Sequence, residues 1–145
     1  MPQIQRTDGK PASEIPQAPE KSRGLNVLIV DDEPLIRWSL AETLSESGHR
    51  ISEACDGASA LTSLRTGEPP DVIVLDYRLP DSSDLSLLKS IRQHVPGAAV
   101  IMMTAFGTPE VMTGALTLGA YRIISKPFEV HDVAALVLQA HVAPR

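Results

Sequence analysis

An α/β domain with a doubly wound parallel sheet is the fold class this sequence predicts, and two observations carry the prediction. Short apolar runs rich in Val and Ile alternate five times with stretches that repeat apolar residues at helical spacing. Four of those runs close on polar residues: LNVLIV on Asp31-Asp32, DVIVL on Asp76, AAVIMM on Thr104 and YRIIS on Lys126-Pro127. Parallel strands ending this way bring their polar side chains to one edge of the sheet.

The elements follow in order. LNVLIV (25–30) is the first strand, and PLIRWSLAETLSES (34–47) is the first helix, with Ile36, Leu40 and Leu44 on one stripe. Pro34 suits a first helical turn, where its missing N–H is no loss. Gly48 stops the helix. RISEA (50–54) alternates weakly, as a half-exposed strand does. Residues 57–66 hold Ala58, Leu61 and Leu64 at helical spacing and end at Gly67. DVIVLD is the third strand, and DLSLLKSIRQH, with Leu85, Leu88 and Ile91, is the third helix. AAVIMM is the fourth strand, after which Thr108, Pro109 and Glu110 supply an N-cap, a first-turn proline and a first-turn acid. YRIIS is the fifth strand and EVHDVAALVLQAH the fifth helix.

Five such alternations imply right-handed crossovers with helices on both faces of the sheet. Runs one, three and four are apolar throughout and belong inside, whereas runs two and five carry Glu53 and Arg122 and fit the edges. This is the flavodoxin-like (βα)5 arrangement with strand order 2-1-3-4-5, whose ligand crevice lies beyond the carboxyl ends of strands one and three. Asp31, Asp32 and Asp76 fall there.

The 145 residues are 43% hydrophobic and 21% charged, which suits one globular domain, placed at residues 25–145. Residues 1–24 have four prolines, four bases against three acids and no apolar periodicity. Such a stretch cannot bury enough surface to offset chain entropy, so a disordered tail is expected. No signal-peptide core follows its charges, and no run approaches the ~20 apolar residues of a membrane helix. A cytosolic protein is expected, and the lone Cys55 leaves no partner for an internal disulfide. Residues 25–145 carry nine bases and fifteen acids, a balance that argues against direct nucleic-acid binding and its clustered basic face.

Three carboxylates converging on one crevice repel one another. Two unit charges ~4 Å apart interact by roughly 4 kcal/mol at an effective dielectric of about 20. Either one carboxyl stays protonated or a cation occupies the gap. Mg²⁺ suits the gap, since it takes oxygen ligands, keeps several waters and uses one or two carboxylates plus a phosphate. Lys126 adds a positive charge and Thr104 a hydroxyl donor, which together make a pocket for phosphoryl transfer onto a carboxylate. Any one Asp at a strand end is more often a cap or turn residue. The ordered set VDDEP, LDYRLP, MTA and SKPF, each closing a strand, favours the site. Histidines 49, 94, 131 and 141 read as turn or helix-surface residues without metal-ligand spacing, Trp38 as packing or surface, and Tyr121 as core or edge-strand filling.

On these motifs, over about residues 25–142, the chain resembles the receiver domains of bacterial two-component response regulators. DEPLIRWSL, MTAFGTPE and GAYRIISKPF look most like receivers of the NtrC-like class, in which an ATPase and a DNA-binding domain normally follow. The resemblance implies that a histidine kinase or phosphotransfer protein supplies a phosphoryl group and Asp76 accepts it. It implies Mg²⁺ held by Asp32, Asp76 and the backbone carbonyl of Arg78, with Asp31 acting through water. Lys126 would pair with the phosphoryl group and Thr104 would hydrogen-bond it. The output would be binding of a downstream protein through helix four, strand five and helix five, a face bordered by Gly107, Val111, Leu118 and Arg122. The oligomeric state stays open, a phosphorylation-dependent dimer included, as does the choice between a free-standing module and part of a larger regulator.

Two departures from the family pattern stand out. Ile123 occupies the place, three before the lysine, where the family's switch ordinarily has an aromatic residue. Asp84 occupies the place eight beyond the acceptor where Gly is usual, and Asp tolerates a left-handed backbone better than most residues. The alternative function is an Mg²⁺-dependent phosphohydrolase with an aspartyl-phosphate intermediate. Such enzymes place a second Asp two residues after the nucleophile as proton donor, and here that residue is Arg78, which cannot donate.

Overall fold

A computed structural model describes residues 24–142. Of the expected N-terminal tail only Gly24 falls within that range, and the rest lies outside the described residues. Five strands alternate with five helices: β1 (Asn26–Val30), α1 (Pro34–Glu46), β2 (Arg50–Ala54), α2 (Gly57–Thr66), β3 (Val72–Asp76), α3 (Ser86–His94), β4 (Ala99–Thr104), α4 (Pro109–Thr117), β5 (Arg122–Ser125) and α5 (Val130–Val142). All pairings are parallel, in the order β2-β1-β3-β4-β5.

Every residue of β3 and β4 is buried, while edge strands β2 and β5 are largely exposed or half-buried, as their charged residues require. The two-residue period of a strand divides the core into two layers. Leu28, Val30, Ile73, Leu75, Val100 and Met102 face Ala60 of α2, Leu88 and Ile91 of α3 and Ala115 of α4. Val27, Ile29, Val72, Val74, Ile101 and Met103 face Leu40 and Leu44 of α1 and Val133 and Val137 of α5.

Local signals act as their chemistry dictates. Pro34 opens α1 and Gly48, at φ +94°, turns the chain out of it with its N–H on the Ser45 carbonyl (2.9 Å). The Thr108 hydroxyl caps α4 by accepting from Val111 N–H (3.2 Å), with Pro109 and Glu110 following. Asp56 and Ser59 form a reciprocal capping box on α2 that holds the Asp56 carboxyl below its ordinary pKa. Gly24 is required where it stands: at φ +117° a side chain there would run into the Gly48 carbonyl oxygen.

Several sequence expectations shift. The stripe of α2 is Gly57, Ala60, Leu61 and Leu64, and Ala58 is exposed, one position off the buried face. Helix α3 begins at Ser86, because the Asp84 carboxylate accepts from the Ser86 amide (2.9 Å) and hydroxyl (2.6 Å) instead of entering the helix. His49 follows the turn after α1 and is buried there: its Nδ1 accepts from Leu25 N–H (3.1 Å), and burial lowers its pKa. Trp38 is exposed, and Tyr121 is half-buried against the α1/α5 layer.

Candidate phosphoryl-acceptor site

The site lies at the carboxyl edge of the sheet, where β1 and β3 run side by side and their chains leave in opposite directions. Asp31 follows β1, is fully buried, and is fixed through its backbone: its N–H donates to the Ala54 carbonyl (3.1 Å), and its carbonyl accepts from Arg37 (2.7 Å). Its carboxylate accepts from Glu33 N–H (2.8 Å). Asp76, the last residue of β3, is 5% exposed, and Asp32 projects into solvent. One carboxylate oxygen from each of Asp31, Asp32 and Asp76 lies within 4.8 Å of the others.

Lys126, just past β5, reaches across the rim. Its ammonium donates to Asp31 (3.2 Å), Glu33 (3.0 Å) and Asp76 (3.2 Å). Burial pulls the Lys126 pKa down, but the bond to Glu33 and the charges of Asp76 and Asp31 outweigh it and the pKa is raised. Asp76 moves in the unfavourable sense. Burial first, then the Asp31 charge, push its pKa up to about 6, against the opposing pull of Lys126 and the Arg78 N–H. One ammonium among four carboxylates leaves the rim short of positive charge. The oxygen-only donor set and the raised Asp76 pKa both fit a hard divalent cation at Asp31, Asp32 and Asp76.

An open cleft of about 430 Å³ lies over these groups, lined by Asp32, Glu33, Asp76, Arg78, Ala105, Phe106 and Lys126. Arg78 N–H donates to Asp76 (3.3 Å), and its side chain is exposed at the mouth. Phe106 is 77% exposed. Thr104 ends β4 and is buried; its hydroxyl oxygen accepts from Phe106 N–H (3.2 Å), leaving its own proton free to donate. It follows Met103, the register partner of Asp76 on the neighbouring strand, and Lys126 N–H donates to its carbonyl (2.8 Å).

Glu33, Arg37 and Asp81 were not singled out by the sequence. Glu33 was legible only as the third acid of VDDEP. Arg37 bridges the Asp31 carbonyl to Glu53 of β2 (3.1 Å). Asp81 accepts from the N–H groups of Gly57 (2.8 Å) and Ala58 (3.0 Å), tying the β3–α3 loop to the start of α2. On the far side, Ile123 pairs in register with Met102 and packs against the core, where the family's aromatic switch residue would be. Of the residues expected to border the output face, Gly107 and Arg122 are exposed, Val111 is half-buried, and Leu118 turns inward against the core.

A parallel five-stranded sheet with this acidic cluster and crossing lysine defines a receiver, and comparison with known proteins agrees. Residues 27–138 match the response regulator receiver domain family, and the chain belongs to it. The probable transcriptional regulatory protein TcrX of Mycobacterium tuberculosis is 35% identical over 130 residues, covering 90% of this chain and 50% of TcrX. The DNA-binding transcriptional regulator NtrC of Escherichia coli K12 is 37% identical over 118 residues, 81% of this chain and 25% of NtrC. This chain therefore spans half or less of these two relatives. Among solved structures, a CheY-like receiver domain protein from Methanospirillum hungatei superposes with a TM-score of 0.76 at 26% identity, covering 80% of this chain and 92% of that one. No helix among the described residues is long and apolar enough to cross a membrane.

Proposed function

We propose that Asp76 accepts a phosphoryl group from a histidine kinase or phosphotransfer protein of the cytoplasm and that the modified chain signals by binding another protein. The supporting observation is the placement of Asp76: buried at a strand end, paired with Lys126, and within reach of two further carboxylates in an open cleft. An Asp76 oxygen attacks phosphorus, the bond to the donor histidine breaks, and its electron pair stays on the histidine nitrogen. Asp32, Asp76 and the Arg78 carbonyl, with Asp31 through water, would hold Mg²⁺, which would supply positive charge to the phosphoryl oxygens. Lys126 neutralises a further oxygen, and the free Thr104 proton donates to another.

The modification would be read at α4, β5 and α5, around Gly107, Val111 and Arg122. A phosphorylation-dependent dimer is one form that output could take. The phosphohydrolase alternative gains nothing, since Arg78 stands exposed where a proton-donating carboxyl would be needed.

The test uses acetyl phosphate as donor. Intact mass should show one phosphoryl group per chain, dependent on Mg²⁺, lost to hydroxylamine and absent in Asp76→Asn. Equal labelling of Asp76→Asn would assign the acceptor elsewhere.

A further inference from the structure

Lys126 has three ammonium protons, and three carboxylates take them: Asp31 at 3.2 Å, Glu33 at 3.0 Å and Asp76 at 3.2 Å. No donor remains for a phosphoryl oxygen, so one pair must open when Asp76 is modified. The three partners differ in what release would do to them. The Asp31 side chain is 0% exposed, so bulk water cannot take the ammonium's place on it. Asp76 carries the new group itself. Glu33 is 57% exposed, so water can replace the lysine on its carboxylate. Its backbone does not have to move, being fixed by Glu33 N–H on Asp31 and by Arg37 N–H on the Glu33 carbonyl (3.0 Å).

We propose that Glu33 is a positioning residue that latches Lys126 in the resting state and competes with the phosphoryl group for it. This rests on Asp76 being the phosphoryl acceptor. An interaction present only before modification opposes modification by the amount it is worth. Removing the Glu33 charge weakens the hold on one ammonium proton in advance and shifts the balance towards the occupied state.

Beryllofluoride with Mg²⁺, a phosphoryl mimic that binds the acceptor carboxylate, reads this without turnover. Glu33→Gln should tighten its binding roughly two- to five-fold, the range of an exposed ion pair. Removing any negative charge near an anion would also help, so the comparison is repeated with Lys126→Gln, where the latch has nothing to hold. There the tightening should shrink towards none. If that background binds too weakly to titrate, Glu33→Asp serves: one methylene shorter, it keeps the charge but falls short of the ammonium, and should tighten binding as Gln does. Unchanged affinity in Glu33→Gln, equal tightening in both lysine backgrounds, or a Glu33→Asp variant matching wild type would overturn the latch. A wild-type protein that takes up neither beryllofluoride nor label at Asp76 would instead overturn the acceptor reading, and the latch with it.

Discussion

Helices α3 and α4 are each nine residues long and cover the same face of the sheet, yet the molecule holds them differently. Helix α3 buries Leu87, Leu88 and Ile91. Its approach is tied down as well: Leu79 and Ser82 exchange backbone hydrogen bonds (2.8 and 3.2 Å), and Asp81 is bound to the start of α2. Helix α4 buries only Ala115, carries Met112 and Leu116 exposed, and follows a loop whose residues 105–108 are all exposed. Few buried contacts and exposed backbone mark a segment that opens at low free energy. Asp76, the proposed acceptor, thus sits on the firmly packed side of the rim, and Thr104, which touches the loop before α4, stands at the boundary with the loosely packed side.

Truncation separates the two sides most strongly. Leu88→Ala in α3 should destabilise by about 2–5 kcal/mol, as removal of a fully buried leucine does. The exposed Leu116→Ala in α4 should stay within about 0.5 kcal/mol. Chemical denaturation measures both, and similar values would erase the distinction.

A smaller effect concerns Asp76. Because folding raises its pKa to about 6, Asp76 binds more protons folded than unfolded, so its contribution to stability is present below the unfolded value near 3.8 and lost as pH rises through about 6. Asp76→Asn should therefore stabilise the cation-free protein at pH 7.5 by on the order of 1–2 kcal/mol, with the gain fading towards pH 4. Denaturation curves at the two pH values in a chelator decide it. A neutral-pH loss of stability would mean that the Lys126 pair outweighs burial.

The smallest effect is kinetic and lies at the cleft mouth. Arg78 and Phe106 line the cleft beside Asp76, and neither side chain can orient an attacking water as a carboxylate or carboxamide could. Slow loss of the phosphoryl group is expected, and Phe106→Ala with Arg78→Asn should hasten it several-fold, under about 1.4 kcal/mol in barrier terms. Equal decay in wild type and double mutant would place both side chains outside the water's path.

How much of this could be read from the sequence follows from how far apart the interacting residues are. The strands, their order and the residues closing them were legible, because an apolar run and its terminal residue are local facts. Asp31, Asp76 and Lys126 meet because the topology delivers strand ends to one rim. Glu33 and Asp81 escaped notice because neither closes a strand: each lies in a loop, and their partners stand 93 residues away for Glu33 and 23 and 24 for Asp81. Neither contact has a periodicity to announce it. His49 is read in part: it follows the helix-ending glycine as a turn residue does, but its burial and the arrival of Leu25 N–H on its ring are not local facts.

The central claim is that one side of the rim is modified and the other responds. Amide hydrogen exchange with and without acetyl phosphate and Mg²⁺, on protein whose label at Asp76 is verified by mass, tests it directly. The expected result is a change in protection concentrated in residues 105–117 and β5, with α3 and the 79–82 turn unaltered. Labelled protein in which α3 changes as much as α4, or in which neither changes, would contradict it.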